Sequence, residues 1–199
     1  MSREDVAAII DCNLPNLPGW CTPEKGRRMA ELSYGASLCV ELGVFGGRGL
    51  LAMALALRDQ GSGRADGIDP YTKEAALEGT NDPANDAWWG HLDYNTIALM
   101  AQDVINRQAP YARLIRLASR EAVKLYDDRS IDVLHQDSNH SQEVSCEEVE
   151  LWVPKMRASG AVWIFDDTNW PSTKKAQLDL EERGFTLSED HGSWRVYTR

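Results

Sequence analysis

Apolar and polar positions along this chain change period repeatedly, and each change marks an element. Continuous apolar runs of strand length occur in "ASLCVELG" (36–43), "ARLIRLA" (112–118), "IDVLHQD" (131–137) and "GAVWIFDD" (160–167), and "RADGIDP" is a shorter strand stopped by Pro70. Between them the period lengthens to that of a helix, in "RGLLAMALALRDQ", over about Asp93 to Asn106, in the short "SREAVKLYD", in "SQEVSCEEVELWVPKMR" and in "STKKAQLDLEERG". The C-terminal "FTLSED" and "GSWRVYTR" are two strands across a His-Gly turn. The first 35 residues carry a short amphipathic helix over Arg3 to Ile10, then the Pro-rich turn "NLPNLPGW". A second helix starts near Thr22, with Thr-Pro-Glu as cap, first-turn proline and early acid, and reaches about Tyr34. Residues 72–90 are acidic and turn-rich and are expected to be irregular.

Strands alternating with helices imply a parallel sheet wound by right-handed crossovers. The closing pair is joined by so short a turn that it has to be antiparallel. With 199 residues and no Gly/Ser/Pro-rich divider, the chain fits one domain. It divides into an N-terminal helical extension (1–35), able either to cover a site or to join two copies in a homo-oligomer, and the α/β body (36–199). The segment 71–95 is long for a strand–helix connection and is expected to act as a lid or substrate-binding insertion. The net charge of −10, from 21 basic and 31 acidic residues, disfavours nucleic acid and anionic membranes as partners. The acidic N-terminus lacks a signal-peptide pattern, and no apolar stretch is long enough to span a bilayer, so a cytoplasmic location is expected. Cys12, Cys21, Cys39 and Cys146 are widely spaced and expected to be reduced.

The chemistry gathers where strands end. Glu41 closes the first strand and is followed by Gly43, Gly46, Gly47 and Gly49 before a helix starts, while Asp69 closes the second. Glycines at such a turn admit a ligand close to the backbone, and an acid at the next strand end can accept from ribose hydroxyls. Glu41 beside the turn would repel a pyrophosphate but can pair with an ammonium group, which favours S-adenosylmethionine over NAD. Asp137 ends the fourth strand and Asp166–Asp167 the fifth, so three carboxylates are expected in one crevice. Unless protonated, they need a cation, for which hard oxygen ligands suit Mg²⁺ or another divalent ion. His140 is a candidate proton acceptor at the same edge, whereas His135 lies within a strand and is expected to be a satisfied core histidine. Trp88, Trp89 and His91 of the insertion, with Trp170 opposite, could wall an acceptor.

On "VELGVFGGRG", "GIDPY", "LASREAV" and the two acidic strand ends, the chain from about Ala36 onward resembles the class I S-adenosylmethionine-dependent methyltransferases. The resemblance implies a Rossmann-like fold, a seven-stranded mostly parallel sheet with an antiparallel last strand and helices on both faces. It implies Glu41 and Gly43 beside the methionine part of the cofactor, with Gly47 and Gly49 of the same turn also in its binding site. Asp69 would take the ribose, and Ala118 and Ser119 would flank the adenine. "FDDTNW" is similar to the acid–amide pair of the metal-dependent catechol O-methyltransferases, with Asp167 in place of Asn. "QDSNH" is similar to the D-x-x-H of the macrolide-sugar enzymes, which implies His140 as general base. The tyrosine usual shortly after that histidine is absent, since Gln142 and Glu143 follow Ser141. The expected activity is metal-dependent methyl transfer to a hydroxyl of a small molecule (a sugar, catechol-like or natural-product acceptor). Two rival readings are an NAD-dependent oxidoreductase and a non-catalytic protein that binds S-adenosyl ligands.

Overall fold

The structure, a computed structural model, describes residues 1–199. Its strands are β1 (Leu38–Leu42), β2 (Arg64–Ile68), β3 (Ala112–Ile115), β4 (Val133–Gln136), β5 (Val162–Phe165), β6 (Thr186–Asp190) and β7 (Arg195–Thr198). They form a single sheet in the order β3-β2-β1-β4-β5-β7-β6. The first five strands run parallel, and β7 lies antiparallel between β5 and β6. The seven-stranded Rossmann-like architecture that the resemblance implies is therefore the one formed. No helix is long and apolar enough to cross a membrane.

The helices are α1 (Arg3–Asn13), α2 (Pro23–Ser33), α3 (Arg48–Gln60), α4 (Lys73–Ala76), α5 (Pro83–Trp89), α6 (Tyr94–Gln108), α7 (Ser119–Ala122), α8 (Gln142–Trp152) and α9 (Lys174–Glu182). Two of these correct the expectation of an irregular 72–90. Thr72 caps α4 by accepting from the amide of Ala75, and Asp82 caps α5 by accepting from those of Ala84 and Asn85, with Pro83 at the first helical position. Both are ordinary start signals, hidden by the excess of acids and the shortness of the helices.

Successive strand residues face opposite sides of a sheet, and here each side has its own core. Leu38, Val40, Leu42, Leu134, Trp163 and Phe165 belong to the core under α8 and α9. Cys39, Val133, Ile164 and Val196 belong to the other, with Ile10, Leu14 and Met29 of the N-terminal segment and the fully buried α3 run from Leu50 to Leu57. The N-terminal extension is thus part of this second core. The parity that seats Cys39 and Val133 there puts Glu41 and His135, which pair across β1 and β4, on that same face.

The crossing of chain beyond β1 and β4 is tight. The amide of Asp137 donates to the carbonyl of Leu42 at 2.8 Å, and Gly43 has φ +81°. A Cβ at Gly43 would lie 2.1 Å from the carbonyl oxygen of Asp137. Gly43→Ala is therefore expected to combine left-handed strain with a backbone clash and to lose about 2–5 kcal/mol of stability in urea denaturation. A loss below about 1 kcal/mol would mean the two strand ends can part without cost.

Candidate active site

Four ionisable side chains converge at the carboxyl ends of β1, β4 and β5, on the face covered by α2 and α3. Glu41 (2% exposed) and His135 (0%) are buried side by side, with His135 Nδ1 2.8 Å from Glu41 Oε1. Two residues beyond His135, and so on the same side, stands Asp137, with Oδ2 3.8 Å from His135 Nε2. Asp166 follows Ile164, the β5 partner of His135, by the same two residues. His135, Asp137 and Asp166 bring one ligand atom each to within 4.8 Å of one another. Into this group α2 inserts Lys25, 4% exposed, whose ammonium contacts Asp166 directly and lies 3.9 Å from Asp137 Oδ2.

Burial and the ammonium set the charges. Burial first, then the charge of Asp166, pushes the Asp137 carboxyl well above its ordinary range. Burial opposes charge on Asp166 as well, but Lys25 beside it holds this carboxyl below the usual value. For Lys25, burial alone would favour the neutral amine, yet Asp137 and Asp166 outweigh it and raise the pKa. Burial lowers the pKa of His135 and raises that of Glu41, disfavouring the charged form of each. His135 Nε2 and Glu41 Oε2 are buried without a hydrogen-bond partner. His135 is thus not the satisfied core histidine expected: one ring nitrogen is paired and the other faces the site.

Asp167 breaks the parity. Its backbone turns through φ +47°, and its carbonyl accepts from the amide of Trp170 and the hydroxyl of Thr173. Its carboxylate points to His140, Oδ2 lying 3.4 Å from Nδ1, rather than into the Asp137–Asp166 group. The other His140 nitrogen, Nε2, is 3.7 Å from Asp137 Oδ1 and has no hydrogen-bond partner. The expected set of three converging acids is replaced by two acids and a histidine, with the third acid directed at His140.

Two clefts meet here. One is lined by Gly43, Asp69, Ala118, Ser119, Asp137 and His140. Asp69 Oδ2 accepts from the amides of Val44 and Phe45, and Oδ1 from that of Tyr71, so backbone donors hold it at the rim. The second cleft shares Gly43, Asp137 and His140 and adds Lys25, Glu41, Asp166, Asp167 and Trp170. Its outer wall is aromatic: Trp20, Phe45, Trp88 and Trp89 have ring centroids between 4.8 and 6.3 Å apart. Trp170 packs 5.4 Å from the His140 ring.

The structure leaves some expected residues aside. His91 is exposed and lines neither cleft, nor does Gly47, which with φ +89° forms the start of α3. Gly49 makes room for Glu41, whose Oε1 would lie 2.0 Å from an added Cβ. Others went unnoticed in the sequence. Trp20 sat inside a Pro-rich turn with no pattern to flag it. Lys25 did leave a signal, since it shares a helical stripe with the buried Met29 and Ser33. Asn139 caps no helix: Ser141 caps α8, while Asn139 Nδ2 donates to the carbonyls of Ala75, Ala76 and Glu78, fastening the 71–95 segment to the loop that carries His140.

Residues 40–168 match a family model described as a methyltransferase domain. A search among curated proteins finds no match. Among solved structures, the chain is similar to CalS11, a calicheamicin methyltransferase, with TM-score 0.66 and 17% identity over 98% of this chain and 90% of that one. It is similar to the O-methyltransferase TomG of Streptomyces achromogenes, determined with S-adenosylmethionine, with TM-score 0.60 and 14% identity over 98% and 88% of the two chains. An O-methyltransferase of Bacillus cereus in complex with S-adenosylhomocysteine matches with TM-score 0.59 and 15% identity over 99% and 90%.

Glu148 of α8, on the wall of the first cleft, accepts from Ser138 Oγ at 2.6 Å and from Gln136 Nε2 at 3.0 Å, yet burial pushes its carboxyl up to about 7. A carboxyl raised in the folded state stabilises the fold while protonated, fully below its unfolded pKa near 4.3, and that contribution is lost as pH rises through about 7. Glu148→Gln keeps the shape and stays neutral. The variant is expected to gain melting temperature over the parent at pH 8 and little at pH 4, by calorimetry; equal differences at both pH values would show that Glu148 does not titrate in this window.

Proposed function

Because the chain belongs to this methyltransferase-domain family, we propose that it transfers a methyl group from S-adenosylmethionine to a hydroxyl oxygen of a small molecule. The observation that carries the reading is the position of His140, which lines both clefts and is flanked by Asp137 and Asp167. A base there reaches a hydroxyl on one side while the methyl donor lies on the other. The O-methyltransferase neighbours and their S-adenosyl ligands support the donor and the atom attacked. An NAD-dependent oxidoreductase has no such support, and a purely binding protein leaves the flanked His140 without a role.

The residues fit the donor. Glu41 offers a buried oxygen with no partner, suited to an ammonium group. Gly43 leaves backbone uncovered where the clefts join, and Asp69, Ala118 and Ser119 line the far end, where a nucleoside would lie. S-adenosylmethionine, when bound, supplies a sulfonium methyl whose C–S bond breaks as the C–O bond forms, leaving a neutral thioether. The acceptor's proton goes to an imidazole nitrogen of His140, and Asp167 and Asp137 stabilise the imidazolium that results. The Trp20–Trp88–Trp89 wall and Trp170 hold the acceptor's apolar part, most of the work being alignment.

The finer reading adds Mg²⁺ at Asp137, Asp166 and Asp167. As arranged, these residues suit it poorly: Asp167 is turned to His140, an imidazole takes its place in the group, and Lys25 already supplies positive charge to Asp166 and Asp137. We assign no step to a metal.

Calorimetry is expected to show saturable binding of S-adenosylmethionine and S-adenosylhomocysteine and none of NAD; absence of S-adenosyl binding would sink the proposal. With an acceptor found by screening hydroxylated aromatics and glycosides, His140→Ala is expected to lower kcat by about 10²–10⁴-fold with donor affinity nearly unchanged. Trp88→Ala is expected to raise the acceptor's KM with less effect on kcat. Full activity in His140→Ala would move the base elsewhere.

A further inference from the structure

Resting on the methyl-transfer reading above, we propose that Lys25 is the resident cation of the Asp137–Asp166 group, so that this site works without a divalent metal. Three observations point the same way. Lys25 is the only buried lysine of the chain, at 4% exposed, and a lysine is almost never fully buried unless paired. Its ammonium reaches the carboxylates of both strand ends, the same two that supply oxygen donors to the only three-residue ligand group in the structure. The helix that delivers it is fixed independently of any ligand: Met29, Ala30 and Ser33 of α2 are buried in the face over α3, and Ser33 Oγ donates to the Met29 carbonyl at 2.7 Å. Gly26 beside it has no room for a side chain, because an added Cβ would lie 2.6 Å from Leu14, so this turn of α2 is held close against the N-terminal segment.

A divalent ion bound by Asp137 and Asp166 would sit within a few ångströms of that ammonium, and like charges so close repel strongly in a half-dry site. Lys25 also lines the second cleft together with His140. It is therefore a positioning residue that keeps Asp166 ionised and Asp137 fixed against His140, and it lends positive charge to the side of the cleft where the acceptor oxygen loses its proton. The ammonium keeps all three of its protons throughout, so the balance of the transfer is unaltered.

The test uses Mn²⁺ as a paramagnetic probe with the full chain. Wild-type protein is expected to show no saturable Mn²⁺ site by electron paramagnetic resonance, and its turnover is expected to be unchanged by EDTA. Lys25→Met is expected to gain one Mn²⁺ site, tighter than any in the parent by about tenfold or more, which disappears in Lys25→Met/Asp166→Asn. Lys25→Arg is expected to remain free of Mn²⁺ and insensitive to EDTA. A stoichiometric Mn²⁺ site in the wild-type protein that is lost in Asp166→Asn overturns the proposal, and that measurement stands even if Lys25→Met does not fold. Loss of S-adenosylmethionine binding in the wild-type calorimetry would instead strike the methyl-transfer reading, whatever the Mn²⁺ result.

Discussion

A strand alternates its side chains with a period of two, and this constraint decides what the site contains. Once Cys39, Val133 and Ile164 are committed to the core beneath α3, residues 41, 135, 137 and 166 have to appear on the same side. The sheet thereby lines up a glutamate, a histidine and two aspartates along one edge, which the residue next in the chain reaches only where a turn of unusual backbone diverts it. Asp167, one residue past Asp166 and with positive φ, is that diverted case, and it becomes the partner of His140.

Such a row of acids is costly to bury, and the chain offsets the cost in three different ways. Burial disfavours charge on Glu41 and His135, which share one short contact, Asp137 holds its proton more tightly than usual, and Asp166 is matched by the ammonium of Lys25. A buried ion pair of this kind is weak evidence for stability, since well-packed apolar groups often serve as well. Its retention at the mouth of a cleft, with unpartnered nitrogen and oxygen atoms beside it, is better understood as preparation for a ligand.

Much of the fold was legible in the sequence because its periods are long and its strand ends are punctuated by glycine, proline and acid. The order of βα units, the closing hairpin, the Gly-rich turn after Glu41 and the acids after β4 and β5 all stood where the pattern put them. What escaped depended on side chains meeting across distant segments. Nothing local distinguishes Lys25 from a solvated lysine except its helical stripe with Met29 and Ser33, and its partner lies 141 positions away. The sense in which Asp167 points is set by a single backbone dihedral, which composition does not encode. Short helices such as α4 and α5 are capped like longer ones but offer too few residues for a period to emerge.

The amide of Asn139 has a mechanical meaning. Because it grips three carbonyls at the foot of the 71–95 segment, that segment is moored to the same short loop that bears His140, while Thr80 Oγ1, donating to Glu143 at 3.0 Å, and Glu78, in contact with Arg120, tie it to α8 and α7. Trp88 and Trp89 above the cleft and the imidazole below it are therefore carried by two segments tied together. A displacement of the 71–95 segment carries a mechanical load to the His140 ring, coupling the width of the cleft to the placement of the imidazole.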